Sequence, residues 1–193
     1  MPSTPDLTPV TDAIAGLLPG VDDHQLDART PCEKWTTREL LAHLDGLTQA
    51  FRAAAAKDFG PLTDTPPADA ALGLAPDWRE KLPAQLSALA TAWTDPTATE
   101  GMTRAGGVEM PAEVMGCVVT NELVLHGWDL AQATGQRFDP APPAVAHALA
   151  FVEQVGDEPE QRQGLFGPRV STDDDAPLDR LLAGAGRDPR WQA

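Results

Sequence analysis

The sequence contains no tyrosine, one isoleucine, one asparagine and only two cysteines, and its 14 Lys and Arg are outnumbered by 29 Asp and Glu. Each shortage narrows what the chain can do. With a formal net charge of −15 there is no basic stripe to meet phosphates, which argues against nucleic acid and against anionic membranes as partners. The acid excess is spread along the chain apart from Asp173-Asp174-Asp175, as expected of a solvated surface. No apolar run approaches the roughly 20 residues that span a bilayer. The start, Met1-Pro-Ser-Thr-Pro-Asp6, lacks a basic segment followed by an apolar one, so no signal peptide is expected and the protein reads as cytoplasmic. Cys32 and Cys117 form no CxxC, and their spacing does not demand a disulfide. The preference for Ala, Pro, Arg and Asp over Ile, Asn, Tyr and Lys is a bias of GC-rich coding and carries no functional meaning.

What is present is a helical pattern. The chain has 193 residues, 42% of them hydrophobic, enough for one domain, 1–193, with a real core. Val10, Ile14, Leu17 and Leu18 form one stripe over about Leu7–Leu18, stopped by Pro19-Gly20. A second helix starts at the capping box Thr36…Glu39 and runs to about Lys57, with Leu40, Leu44, Leu47 and Phe51 on its inner face. A Pro-rich connection, Pro61–Pro76, leads to a third helix over Asp77–Trp93 with Pro83 in its first turns. Thr99–Met110, with three glycines, reads as a loop or short hairpin. Pro111 suits the first position of a long helix closed by Gly135. Pro143–Val155 is a fifth helix, 156–176 is irregular, and Leu178–Ala183 is a short helix. With no internal repeat and little strand signal, this is an all-α bundle.

The chemistry concentrates in the most apolar stretch, 114–130. Glu122 and His126 stand one helical turn apart and leave the same face. Met115, Val119 and Asp129 share their stripe, so the pair should point into the bundle, where a Glu is rare unless paired or bound to metal. His43 lies on the apolar face of the second helix. Two imidazoles and a carboxylate from two helices make a three-ligand site with an open position, suited to Zn²⁺ and to other first-row divalent ions. Self-satisfaction by hydrogen bonding is the plainer alternative.

The remaining candidates have simpler readings. Asp129 either orients His126 from behind or pairs with an arginine, the second being the simpler expectation. His24 sits in an acidic, exposed loop, and His147 reads as packing or surface. Cys117 reads as a small buried apolar residue. Cys32 is expected to be structural, with Lys34 its nearest basic neighbour in sequence. Arg104 and Arg169 lie in loops where an anionic substrate or plain surface charge would account for them. The 61–76 and 99–110 segments are long enough to cover a site.

Two motifs, Thr30-Pro-Cys-x-x-Trp35-Thr-x-x-x-Leu40-x-x-His43 and Glu122-Leu-Val-x-His126-x-Trp-Asp-Leu-Ala, resemble the DinB-like metal-binding fold. Within it they are closest to the actinobacterial branch related to the N-terminal domain of mycothiol-dependent maleylpyruvate isomerase. The ending, from Phe166-Gly-Pro through Asp175-Ala-Pro-Leu-Asp-Arg-Leu-Leu to Gly186-Arg-Asp-Pro-Arg-Trp191, resembles the same branch. The resemblance implies a four-helix bundle with additional short helices, holding one divalent metal, zinc or nickel, on His43, Glu122 and His126. It also implies mycothiol as co-substrate, presented by the metal as a thiolate. The isomerase has a second, C-terminal domain that contributes to its active site, and this chain leaves no room for one. The expectation is therefore a thiol-dependent S-transferase or isomerase acting on small electrophiles, as monomer or homodimer. The alternatives are a metal-dependent hydrolase and a non-catalytic metal- or ligand-binding bundle.

Overall fold

The computed structural model describes residues 6–33, 35–66, 73–162 and 165–192. The chain begins with α1 (Thr8–Leu17), followed by single 3₁₀ turns at Leu18–Gly20 and Asp23–Gln25. Helix α2 (Thr37–Ala56) begins where the sequence places a cap. Thr36 Oγ1 accepts from the Glu39 N–H, and the Glu39 carboxylate accepts from the Thr36 N–H at 2.8 Å. The helix ends on Lys57 in the left-handed region, φ 56°. One turn, α3 (Pro61–Asp64), opens the Pro-rich connection, whose residues 67–72 lie outside the described residues. Helix α4 (Trp78–Ala92) runs through Pro83 without a break.

The 99–110 segment follows a 3₁₀ turn, Pro96–Thr99, and forms a hairpin. Strand β1 (Met102–Ala105) pairs antiparallel with β2 (Val108–Pro111). Gly106 and Gly107 both have positive φ, 59° and 77°, which is what a two-residue hairpin turn asks of its central residues. Pro111 ends β2, opposite Met102, and caps the next helix, so α5 (Ala112–Thr134) starts one residue later than the proline rule suggests. Gly135 closes it at φ 66°, a conformation that spares glycine a Cβ clash. Helix α6 (Pro142–Gln154) follows. The 156–176 stretch, expected to be irregular throughout, contains one helical turn, α7 (Pro159–Arg162), and α8 (Pro177–Gly184) comes last.

Helices α1, α2, α4 and α5 close a ring: α2 packs on α4 and α5, and α1 packs on the same two. Helix α6 packs against α5, and α8 against α6. This is the all-α, DinB-like arrangement, with the hairpin as its only sheet among the described residues. Because α5 has neighbours on nearly every side, its apolar residues run all round it, as in a fully buried helix. Leu123, Val124 and Leu130 on α5 join Ile14, Leu40, Leu44, Leu82 and Leu86 in one core with no exposure above 1%. Among the described residues no helix is long and apolar enough to cross a membrane.

Candidate functional site

The site is built where a folded loop meets α2 and α5. Arg29 and Thr36 bridge in antiparallel fashion, closing the 30–35 turn. Inside it the Thr30 hydroxyl reaches the carbonyls of Cys32 and Trp35, 2.8 Å each, and the Trp35 N–H donates to the Cys32 carbonyl. This turn and the Thr36 cap fix Trp35 directly before α2. Its ring stacks on His43 at 4.1 Å between centroids and approaches His126 at 5.4 Å. The two imidazoles meet edge to face at 4.9 Å.

His43 and His126 both direct Nε2 at one carboxylate oxygen. His43 Nε2 is 3.1 Å from Glu122 Oε2, and His126 Nε2 is 3.2 Å from the same atom. The histidine side chains are only 10% and 7% exposed, but Glu122 is 30% exposed. The glutamate expected to point inward meets both imidazoles, and part of its side chain stays exposed. The i, i+4 stripe points inward, and Glu122 is its least buried residue. Behind His126, Nδ1 donates to Asp129 Oδ2 at 2.9 Å. Asp129 is fully buried and also accepts from Arg187, from Nη2 to Oδ2 at 3.1 Å and from Nε to Oδ1 at 3.4 Å. Both readings of Asp129 hold together: it backs His126 and it pairs with an arginine.

These contacts settle the charges. Burial pushes the Glu122 carboxyl up, but hydrogen bonds from His126 and His43 outweigh it and leave the group well below the usual carboxylate range. Burial pushes His126 down, while Asp129 and Glu122 pull it above its ordinary value. For Asp129, burial is overcome by the Arg187 charge and the His126 hydrogen bond, and its carboxyl is held low. Two imidazole nitrogens and a carboxylate oxygen, all within 4.8 Å of one another, are a donor set that Zn²⁺ and its first-row neighbours accept. The residues present fit such an ion.

Two participants escape sequence reasoning. Cys32 brings its thiol within 4.8 Å of ligand atoms of His126 and Asp129, beside Arg187. Lys34, its neighbour in sequence, lies outside the described residues. Arg187 comes from the chain's ending, whose motif was recognisable while its purpose was not. Among the described residues, the two candidate covering segments pack away from the site. The hairpin docks at the other end of α2, where Thr103 Oγ1 donates to the Ala54 carbonyl, about 16 Å along the helix from His43. The start of the Pro-rich connection joins it there, with the Gly107 N–H on the Thr63 carbonyl.

The other candidates lie elsewhere. His24 is exposed beside Asp22. His147 is buried on α6, where desolvation lowers its pKa. Cys117 is buried on α5, its thiol pushed up by burial, and it forms no disulfide with Cys32. Arg104 is engaged by Asp64 and Glu109, and Arg169 by Asp157.

Comparison with known proteins bears on the family and the fold. Residues 7–131 match the family described as the mycothiol maleylpyruvate isomerase N-terminal domain. Two uncharacterized proteins of Mycobacterium tuberculosis, from strains CDC 1551 / Oshkosh and ATCC 25618 / H37Rv, are each 33% identical over 142 residues, covering 72% of this chain and 71% of theirs. A crystal structure of a mutant of the mycothiol-dependent maleylpyruvate isomerase superposes with a TM-score of 0.51 at 18% identity, over 81% of this chain and 76% of that one. At that identity the likeness speaks for the fold.

Proposed function

Since this chain belongs to the mycothiol maleylpyruvate isomerase N-terminal-domain family, we propose that His43, Glu122 and His126 hold a divalent metal ion, Zn²⁺ in the first place and Ni²⁺ in the second. We propose further that the protein is a thiol-dependent S-transferase or isomerase for small electrophiles, with mycothiol as its thiol. The single observation behind this reading is the convergence of two Nε2 atoms from two helices on one oxygen of a partly exposed glutamate. When bound, the ion would lower the pKa of a thiol in its open position, so that the thiol is a thiolate at neutral pH.

The chain's own residues supply the rest. Asp129 accepts a hydrogen bond from the His126 Nδ1–H and so turns Nε2 toward the site, the usual arrangement behind a metal-bound imidazole. Trp35 packs on both rings, limiting their rotation and keeping water off that side. Glu122 is the most exposed of the three proposed ligands. No side chain need be the nucleophile. The ion pair between Arg187 of the ending and Asp129 of α5 supports treating 1–193 as one domain.

The test is thiol transfer by the metal-loaded protein. With mycothiol and chlorodinitrobenzene, the parent should accelerate conjugation above the uncatalysed rate, and His126→Ala should not. If metal-loaded protein fails with mycothiol across a panel of electrophiles, the transferase reading falls and a non-catalytic metal-binding bundle takes its place.

A further inference from the structure

We infer that Arg187, brought in by the C-terminal tail, is a positioning residue for the site. It clamps Asp129 so that His126 presents Nε2, and not Nδ1, to whatever His43 and Glu122 bind. The inference rests on the proposed ligand set but concerns a residue and a segment outside it.

The tail is built to deliver this side chain. After α8 the Arg187 N–H returns to the Leu182 carbonyl at 2.8 Å, and the Val170 N–H donates to the Ala183 carbonyl at 2.9 Å. Between them stands Gly186 at φ +85°, where a Cβ would lie 2.9 Å from the backbone of Gly167 and Pro168. Only glycine fits that crossing, because the backbone conformation and the close approach both exclude a side chain. The buried Arg162 ties the same segments together through the carbonyls of Gly167 and Gly184. The chain has therefore fixed the backbone that leads into Arg187.

The contact itself has the form of a clamp. Arg187 is 11% exposed and Asp129 is not exposed at all. The guanidinium donates from Nη2 to Oδ2 and from Nε to Oδ1, and from Nη1 to the Ala185 carbonyl at 3.2 Å. A two-point fork fixes the plane of a carboxylate, which a single bond does not. Since Oδ2 is also the acceptor for His126 Nδ1, fixing the carboxylate fixes the imidazole's tautomer and rotation. Lysine keeps the charge but has no planar fork. The thiol of Cys32 lies within 4.8 Å of ligand atoms of the same pair.

The experiment compares the full-length parent with Arg187→Met and Arg187→Lys. Zn²⁺ affinity is read by competition with a chromophoric chelator, and the His126 imidazole by nitrogen-15 NMR without metal. The inference expects Arg187→Met to weaken Zn²⁺ binding by about 10–100-fold and to lose the hydrogen-bonded Nδ1–H signal of His126. Arg187→Lys, which also serves if the Met variant does not fold, should recover part of both. Parent-like affinity together with an unchanged Nδ1–H signal in either variant overturns it. A merely structural arginine would lower the melting temperature and leave the signal in place. If the parent binds no Zn²⁺, the proposed function fails, and the Nδ1–H signal alone still decides the role of Arg187.

Discussion

His43 Nε2 stands 3.1 Å from Glu122 Oε2 across 79 positions of sequence. The contact joins α2 to α5 on the side where Trp35 lies over the histidine ring. Two helices of a bundle bring polar side chains together in this way only if the loops before them hold register. Here the Thr36 cap holds α2, and the packing of α5 against α1, α2 and α6 holds the other.

Asp129 is the most sensitive residue behind the site. Its carboxylate is fully buried and paired with both Arg187 and His126. Asp129→Ala would leave a nearly buried guanidinium without its counter-ion, so stability should fall by about 3–5 kcal/mol. Chemical denaturation checks this. A change within 1 kcal/mol of the parent would show that the buried pair contributes little.

Gly127, beside His126, has a different reason to be small. A Cβ there would come 2.5 Å from Phe138 Cζ and 3.0 Å from Ile14 Cγ1. Alanine gains about 1 kcal/mol in helix propensity, but forcing apart α1 and the Phe138 ring costs about 1–3 kcal/mol. Gly127→Ala should therefore lower the melting temperature despite the better helix former. A rise would mean that the ring moves aside freely.

The capping box gives a pH dependence with a defined sign. Hydrogen bonds from the Thr36 N–H and hydroxyl hold the Glu39 carboxyl below its ordinary value. A carboxyl lowered on folding stabilises above its unfolded pKa, near 4.3, and the benefit disappears as pH falls through the folded value. Glu39→Gln should therefore be less stable than the parent at pH 7, and the gap should narrow below about pH 4. Thr36→Ala, which removes the side-chain cap, should cost about 1 kcal/mol. Urea titrations at several pH values check both, and a gap that does not change with pH would contradict the assignment.

Much of the bundle was legible because its signals are local. Thr36 with Glu39, Gly135 and the glycines at 106 and 107 each mark an end or a turn within a few residues. The meeting of His43, Glu122 and His126 was legible because two apolar stripes each carried polar residues that needed a reason. What was not legible depends on distant contacts. Arg187 reaches Asp129 across 58 positions, and an arginine in a polar, Gly-rich ending carries no periodicity to show where it points. The approach of Cys32 to His126 comes from the 30–35 turn, whose hydrogen bonds leave no pattern in composition. The exposure of Glu122 was also hidden, because a helical stripe gives direction but not how far the neighbouring helices extend over it.

The most direct test of the central claim is metal content by plasma mass spectrometry on untagged protein, beside His43→Ala and Glu122→Ala variants shown to be folded by circular dichroism. The account predicts about one equivalent of divalent metal in the parent, lost in both variants. A parent that holds no metal after incubation with Zn²⁺ or Ni²⁺ would contradict it, and the three residues would then be a polar cluster that satisfies itself.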